Sequence, residues 1–225
     1  MDISNMVIKL RNVNYSVKSG DQHLMILKNI NLEINTGITI AITGASGSGK
    51  TSLLNLMAGL ELPTSGQIFY DTQDIALLNE DERAQLRARR IGFIFQSFQL
   101  LPNLTALENV ALPLEITKQP QAMDNARHWL EQVGLHHRAH HYPLQLSGGE
   151  QQRVAIARAF AVSPCVLFAD EPTGNLDKQT GKIIIDMLFA LNLEHQTTMV
   201  MVTHDEALAA RCQLHWPLVD GSLLC

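Results

Sequence analysis

The stretch Ile38–Met57, ITIAITGASGSGKTSLLNLM, changes character twice. Ile38 to Thr43 is a short run of apolar and β-branched residues, which suits a strand buried on both faces of a parallel sheet. From Leu53 the apolar positions recur at helical spacing, through Leu56, Met57 and Leu60. Between the two, Gly44, Ala45, Ser46, Gly47, Ser48, Gly49, Lys50 and Thr51 fit G-x-x-x-x-G-K-[ST], and Ser52 follows. Glycines there let the backbone curl until successive N–H groups point inward as an anion nest. The helix start adds a positive dipole end. Lys50 can reach β- and γ-phosphates, Thr51 can offer a hydroxyl to Mg²⁺, and Ser46 and Ser48 are further donors. A glycine-rich turn with an accidental lysine would not need a buried strand before it and an amphipathic helix after it. The motif implies a nucleoside triphosphate. It does not say what for.

Outward from this stretch the chain alternates. Upstream, NINLEI (Asn29 to Ile34) places Ile30, Leu32 and Ile34 on one face and polar residues on the other, the pattern of a half-buried strand. Downstream, IGFIF (Ile91 to Phe95), VLFAD (Val166 to Asp170) and TTMVMVTH (Thr197 to His204) read as further buried strands. The apolar segment GKIIIDMLFALN lies between the last two as a helix. From about Leu104 to Val133 the pattern is helical, broken near KQP and at Gly134. The expected class is α/β: a parallel-sheet core with a β-rich N-terminal portion and a helical insertion in the middle. No internal repeat, low-complexity tract or linker interrupts it.

Composition narrows the classes of function. A formal net charge of -5 argues against a general nucleic-acid binder, whose affinity comes from a basic surface. The local basic run ending in Arg87, Arg89 and Arg90 reads as a solvated helix face. Cys165, Cys212 and Cys225 are too few and too scattered for a disulfide framework or a zinc site, which suggests a reducing compartment. The opening MDISNMVIKL lacks the basic flank and apolar core of a signal peptide. No uncharged apolar run of about 18 residues could span a bilayer, so a membrane role would need another chain. HHRAHH (His136 to His141) reads as a polar loop at a helix end, because no cysteine or carboxylate pair completes a metal set.

Two further segments carry chemistry. VLFADE delivers Asp170 at a strand end, where it can hold Mg²⁺ through water beside Thr51. Glu171 follows at a different aim, able to orient or deprotonate an attacking water. LSGGEQQR (Leu146 to Arg153) leads into a helix read as starting at Gln151. Ser147 has N-cap chemistry, and Gly148 and Gly149 permit a close backbone approach. This is a second candidate phosphate-binding helix start. One chain can hardly bring both glycine sites to one nucleotide if they lie on different lobes, but a two-fold dimer can.

With the phosphate loop, LSGG and FADE in this order and at this spacing, nearly the whole chain resembles the ATP-binding subunits of ABC transporters. The resemblance implies a P-loop NTPase (RecA-like) parallel-sheet core, an N-terminal antiparallel β subdomain and an inserted α-helical subdomain at about 97–160, all within one domain over 1–225. It implies ATP and Mg²⁺ as ligands. Ser147, Gly148 and Gly149 would contact the γ-phosphate of ATP held by the opposite subunit. Gln96, in FIFQ, matches the glutamine that links Mg²⁺ and water to the transmembrane partner. GNLD (Gly174 to Asp177) resembles the loop that crosses the dimer interface, and His204 in VTHD matches the switch histidine that senses the γ-phosphate.

Two departures stand out. Glu150 replaces the usual glutamine of the signature and adds a negative charge near a phosphate site. Val17 falls where the family has an aromatic stacked on adenine, and Tyr15, two residues earlier on the same strand face, becomes the base-stacking candidate.

Local phrases such as LLPNLTALENVALPLEI and FADEPTGNLD look like the group of lipoprotein-releasing and macrolide-exporting ATPases, and within it YbbA-type proteins. That likeness implies a homodimer, peripheral on the inner face of the cell membrane, bound to a permease with a large extracytoplasmic domain, without nucleic acid and without direct membrane insertion. ATP-driven closure would be converted into motion across the membrane. Rival classes are a soluble ABC ATPase acting on DNA or ribosomes and a regulatory scaffold of the same fold. The cargo is not legible.

Overall fold

The computed structural model describes residues 6–20 and 22–224, so part of the MDISNMVIKL segment, Asp21 and Cys225 lie outside it. In chain order its elements are β1 (Met6–Ser19), β2 (Gln22–Asn35), β3 (Thr39–Thr43), α1 (Lys50–Met57), β4 (Ser65–Tyr70), β5 (Gln73–Asp74), α2 (Glu80–Arg90), β6 (Ile91–Ile94), α3 (Ala106–Ile116), α4 (Ala122–Gln132), α5 (Gly148–Ala161), β7 (Val166–Asp170), α6 (Lys178–His195), β8 (Thr198–Val202), α7 (Glu206–Ala209), β9 (Leu214–Val219) and β10 (Ser222–Leu223). They form two compact units, Met1–Arg87 with Thr198–Cys225, and Ala88–Thr197.

The first unit holds an antiparallel sheet of order β2-β1-β4-β5. Ile30, Leu32 and Ile34 are buried on one face of β2 while Asn31, Glu33 and Asn35 face solvent, as alternation requires. β3 lies between β8 and β9, parallel to both. Its continuous apolar run is buried on both faces: Ile40, Ala41 and Ile42 are fully enclosed. α1 buries Leu53, Leu54, Leu56 and Met57. Leu60 does not continue that stripe. The helix ends at Ala58, Gly59 turns with φ 64°, and Leu60 is left exposed. On α2, Arg83 and Arg87 both pair with Glu80, and Arg87 also donates to the Gly59 carbonyl at 2.6 Å, so these two side chains are largely covered while Arg89 is exposed.

The second unit packs helices around the parallel pair β6–β7. Phe93 stacks on Phe95 with ring centres 4.1 Å apart, and Trp129 of α4 stacks on Phe160 of α5 at 5.8 Å. α3 and α5 both begin with capping boxes, Thr105 with Glu108 and Ser147 with Glu150. α5 therefore starts at Gly148, three residues before the expected Gln151, because the Ser147 cap recruits both glycines into the first turn. The histidine-rich segment forms a short 3-10 turn (His136–Arg138). Its continuation satisfies the start of α3, where the N–H groups of Ala106 and Leu107 donate to the carbonyls of His141 and Ala139 at 2.8 and 2.9 Å.

Candidate functional site

In the first unit the phosphate loop joins the end of β3 to α1. α1 begins from Gly49, whose φ of 100° turns the chain into the helix. Lys50 is buried, and its Nζ donates to the carbonyls of Gly44 and Ala45, both at 2.9 Å, so the lysine spans the loop it belongs to. Ser48 Oγ is buried without a hydrogen-bond partner. An orphaned hydroxyl in a glycine-rich loop at a helix start fits a phosphate oxygen as its partner. A cavity of about 480 Å³ opens beside the loop, walled by Ala45 to Ser48 and by Leu24, Met25 and Ile26 of β2.

His204 belongs to the same edge. β3 and β8 run parallel with Ile42 opposite Val202, and the Thr203 N–H donates to the Ile42 carbonyl at 3.2 Å. The chain thus leaves both strands at one end, into Gly44 on one side and into exposed His204 on the other. Asp205 N–H donates to Thr203 Oγ1 at 3.0 Å, and the Asp205 carboxylate accepts from Ala207 and Leu208, which fixes the turn that carries the histidine.

The second unit repeats this logic. Ile94 of β6 lies opposite Ala169 of β7, so Gln96 and the Asp170–Glu171 pair leave the same end of two parallel strands. Glu171 takes a left-handed φ of 43°, at a cost on the order of 1–2 kcal/mol for a non-glycine residue. The turn is closed by the Gly174 N–H, which donates to the Glu171 carbonyl at 2.9 Å. From α5, buried Gln152 donates to the Pro172 carbonyl at 2.7 Å and braces the same turn. In this unit the side-chain oxygens of Asp170 and Gln96 are hard donors of the kind that suit Mg²⁺, as the Thr51 hydroxyl is in the first.

Gln96 meets the loop after β7 directly. Asn175 Nδ2 donates to the Gln96 carbonyl at 3.0 Å, and Gln96 Nε2 reaches Asn175 Oδ1 at 3.5 Å. A Cβ at Gly174 would stand 2.7 Å from Gln96 Nε2, so a larger residue there would make the Gln96 side chain shift. The residues after Gln96 are pinned from two helices. Arg158 of α5 donates to the carbonyls of Phe98 and Gln99, and Asn109 of α3 brackets Leu101. Neither Arg158 nor Asn109 is distinguishable in the sequence from an ordinary helix residue.

At the signature, Ser147 Oγ accepts from the Glu150 N–H, and Glu150 Oε2 accepts from the Ser147 N–H at 2.8 Å. A Cβ at Gly149 would come within 2.6 Å of Thr180 Cγ2, so any larger residue here would force the Thr180 side chain of α6 to shift. The Ser147 N–H chiefly, with Arg138 assisting, holds the Glu150 carboxyl below the usual glutamate range.

Tyr15 sits at an irregularity of the β1–β2 pairing: it lies opposite Leu27 while Ser16 lies opposite Met25, so Ile26 of β2 is the extra residue. The Glu61 carboxylate beside Tyr15 pushes its phenol up to about 12, by hydrogen bonding first and then by burial and charge. The aromatic ring is not among the residues that wall the cavity beside the phosphate loop.

An ABC transporter family model matches residues 27–174, a span that runs from β2 through the loop, the signature and the acidic pair. The chain belongs to the ABC transporter ATP-binding family. This cassette is 51% identical to the uncharacterized ABC transporter ATP-binding protein YbbA of Escherichia coli (strain K12), over 96% of each chain. It is 42% identical to the lipoprotein-releasing system ATP-binding protein LolD of Hydrogenovibrio crunogenus, over 99% of this chain and 97% of that one. Among solved structures it superposes on the dimeric post-hydrolysis state of the ATP-binding cassette MJ0796 bound to ADP and Pi. That match has a TM-score of 0.90 at 42% identity over 97% of both chains. The cassette is an ATP-binding, ATP-hydrolysing module of the P-loop α/β class. No helix among the described residues is long and apolar enough to cross a membrane.

Proposed function

We propose that two copies of this cassette close on two ATP molecules and that their closure and reopening drive a separate transmembrane permease. The observation that carries this reading is the division of phosphate-binding parts. The phosphate loop and His204 share one strand edge in the first unit, while the Ser147-capped helix start belongs to the second. A two-fold pair lets each copy's loop be completed by the other's Ser147 and Gly149. The dimeric state of MJ0796 and the release system to which LolD belongs support it by family likeness.

In this cycle the loop amides and Lys50 hold the β- and γ-phosphates, and Ser48 adds a hydroxyl inside the nest. Thr51, Asp170 and Gln96 would hold Mg²⁺, which when bound neutralises charge on the phosphate oxygens. Glu171 accepts a proton from the attacking water, from a left-handed backbone position just past the end of β7. His204 donates to the γ-phosphate and reports its loss. The partner's Ser147 and Gly149 contact the same phosphoryl group. The segment from Gln96 to Asn109 carries the motion to the permease, which stands at the inner face of the membrane with a large extracytoplasmic domain.

Glu171→Gln tests the assignment. It removes the proton acceptor and keeps the size, so turnover should fall by roughly 10²- to 10⁴-fold while ATP still binds. Light scattering should then show an ATP-dependent dimer. Wild-type turnover in this variant would remove Glu171 from the role of base. Purification from membranes should recover an integral-membrane partner, and recovery on ribosomes or nucleic acid alone would sink the transporter reading.

A further inference from the structure

The glutamate that replaces glutamine in the signature has a dedicated counter-charge twelve residues upstream. Arg138 Nε donates to Glu150 Oε1 at 3.0 Å, while Glu150 Oε2 is committed to the Ser147 N–H at 2.8 Å. The carboxylate is mostly enclosed, with 14% of its side chain exposed. Both oxygens are therefore spoken for, one by the cap and one by the guanidinium. Arg138 Nη1 also lies 3.1 Å from His141 Nε2. Arginine has no acceptor, so His141 accepts at Nε2 and carries its proton on Nδ1. The carbonyl of His141 is fixed in turn by the Ala106 N–H at the start of α3. The guanidinium thus bridges the His141 ring and the first turn of α5.

We propose that Arg138 is a positioning residue for the signature: it neutralises Glu150 and holds it in the capping box, so that the Ser147–Gly149 helix start can receive a phosphate without an opposing carboxylate. The assignment rests on the dimer reading, in which that phosphate is the γ-phosphate of ATP held by the second copy. The physical basis is simple. A helix N-terminus attracts anions through its unpaired N–H groups and dipole, and an uncompensated carboxylate in the first turn competes for both. Arg138 leaves the carboxylate its structural task and cancels its field. The HHRAHH run then has a function as a mount for this arginine, with His141 as its orienting acceptor.

The test uses the full chain in four forms: wild type, Arg138→Met, Glu150→Gln, and the double variant. Glutamine keeps the capping acceptor and removes the charge. Arg138→Met should lower ATPase turnover about tenfold and weaken ATP-driven dimerisation in a Glu171→Gln background to a similar degree. Its monomer should bind a fluorescent ATP analogue as wild type does, because the phosphate loop is untouched. Adding Glu150→Gln should return turnover and dimerisation to the level of Glu150→Gln alone. A purely structural arginine would give no such rescue, so a double variant as weak as Arg138→Met overturns the proposal, as does an Arg138→Met variant equal to wild type. Urea midpoints of all four forms identify any loss that comes from misfolding, and the rescue comparison holds even if Arg138→Met is less stable. Failure of the dimer reading has a different signature: Glu171→Gln with Arg138 intact would form no ATP-dependent dimer.

Discussion

Asn175 donates its side-chain amide to the main-chain carbonyl of Gln96 at 3.0 Å, and Gln96 returns the contact through its own side chain. Two loops that leave neighbouring parallel strands are thereby joined through their functional residues rather than through scaffold. The residue proposed to link Mg²⁺ to the permease therefore moves with the loop proposed to cross the dimer interface. Asn175→Leu keeps the approximate volume and removes both bonds. Loss of one or two such bonds is worth about 1–2 kcal/mol, which corresponds to roughly a five- to thirtyfold change when it falls on one step. Steady-state kinetics should show that loss in kcat, with the KM for ATP moved less, because the phosphate loop is intact. An equal rise in KM with unchanged kcat would mean that the contact serves ATP binding instead.

Asn109 shows how the segment after Gln96 keeps its path. Its Oδ1 accepts from the Leu101 N–H at 2.8 Å, and its Nδ2 lies within 3.0–3.2 Å of the carbonyls of Leu101, Leu104 and Thr105. The side chain is 1% exposed, so water cannot replace these bonds in place. Asn109→Ala is expected to cost about 2–4 kcal/mol of stability, read from urea midpoints. Asn109→Asp should be at least as damaging, since a carboxylate can satisfy Leu101 N–H but faces three carbonyls as a second acceptor. An aspartate variant as stable as wild type would show that the donor bonds are not needed.

The parts legible in the sequence are those in which one residue type has one physical use. The run ITIAIT could only be a doubly covered strand, and Ile40, Ala41 and Ile42 are fully enclosed. The order of phosphate loop, LSGG and FADE fixed the class. What stayed hidden depends on contacts between distant segments. Arg138 looked like part of a histidine-rich loop, and nothing local connects it to Glu150. The setting of Tyr15 is hidden in the same way: the Glu61 carboxylate beside its phenol comes from the bend after α1, which nothing in the β1 sequence reveals. Leu60 was misjudged because a helical stripe on paper does not reveal where Gly59 ends the helix.

The Glu150 carboxyl gives a pH dependence with a definite sign. Its folded-state value is depressed, first by the Ser147 N–H and then by Arg138. A group depressed on folding contributes stability above its unfolded value, about 4.3 for glutamate, and loses it as pH falls through the folded value. Stability measured by urea unfolding should therefore decline below about pH 4 more steeply in wild type than in Glu150→Gln, which has no proton to gain there. Parallel curves for the two proteins would mean that the capping box holds equally well with a protonated acid.

The wall of the cavity beside the phosphate loop bears on how the nucleobase is held. Leu24 and Met25 are both about half exposed on β2 and wall the cavity, so they offer apolar surface to a base. Tyr15 is turned to Glu61, whose own Oε1 accepts from Asn55 at 3.1 Å just past α1. Aliphatic and thioether groups offer apolar contact to any base but no hydrogen bond that distinguishes adenine from guanine. The KM values for ATP and GTP should therefore lie within about tenfold of each other. Tyr15→Leu should leave the KM for ATP within about twofold, whereas Leu24→Ser should raise it roughly fivefold through lost apolar contact. A large rise in KM for Tyr15→Leu, with Leu24→Ser unaffected, would return base stacking to the tyrosine and require the β1–β2 hairpin to rearrange when nucleotide binds.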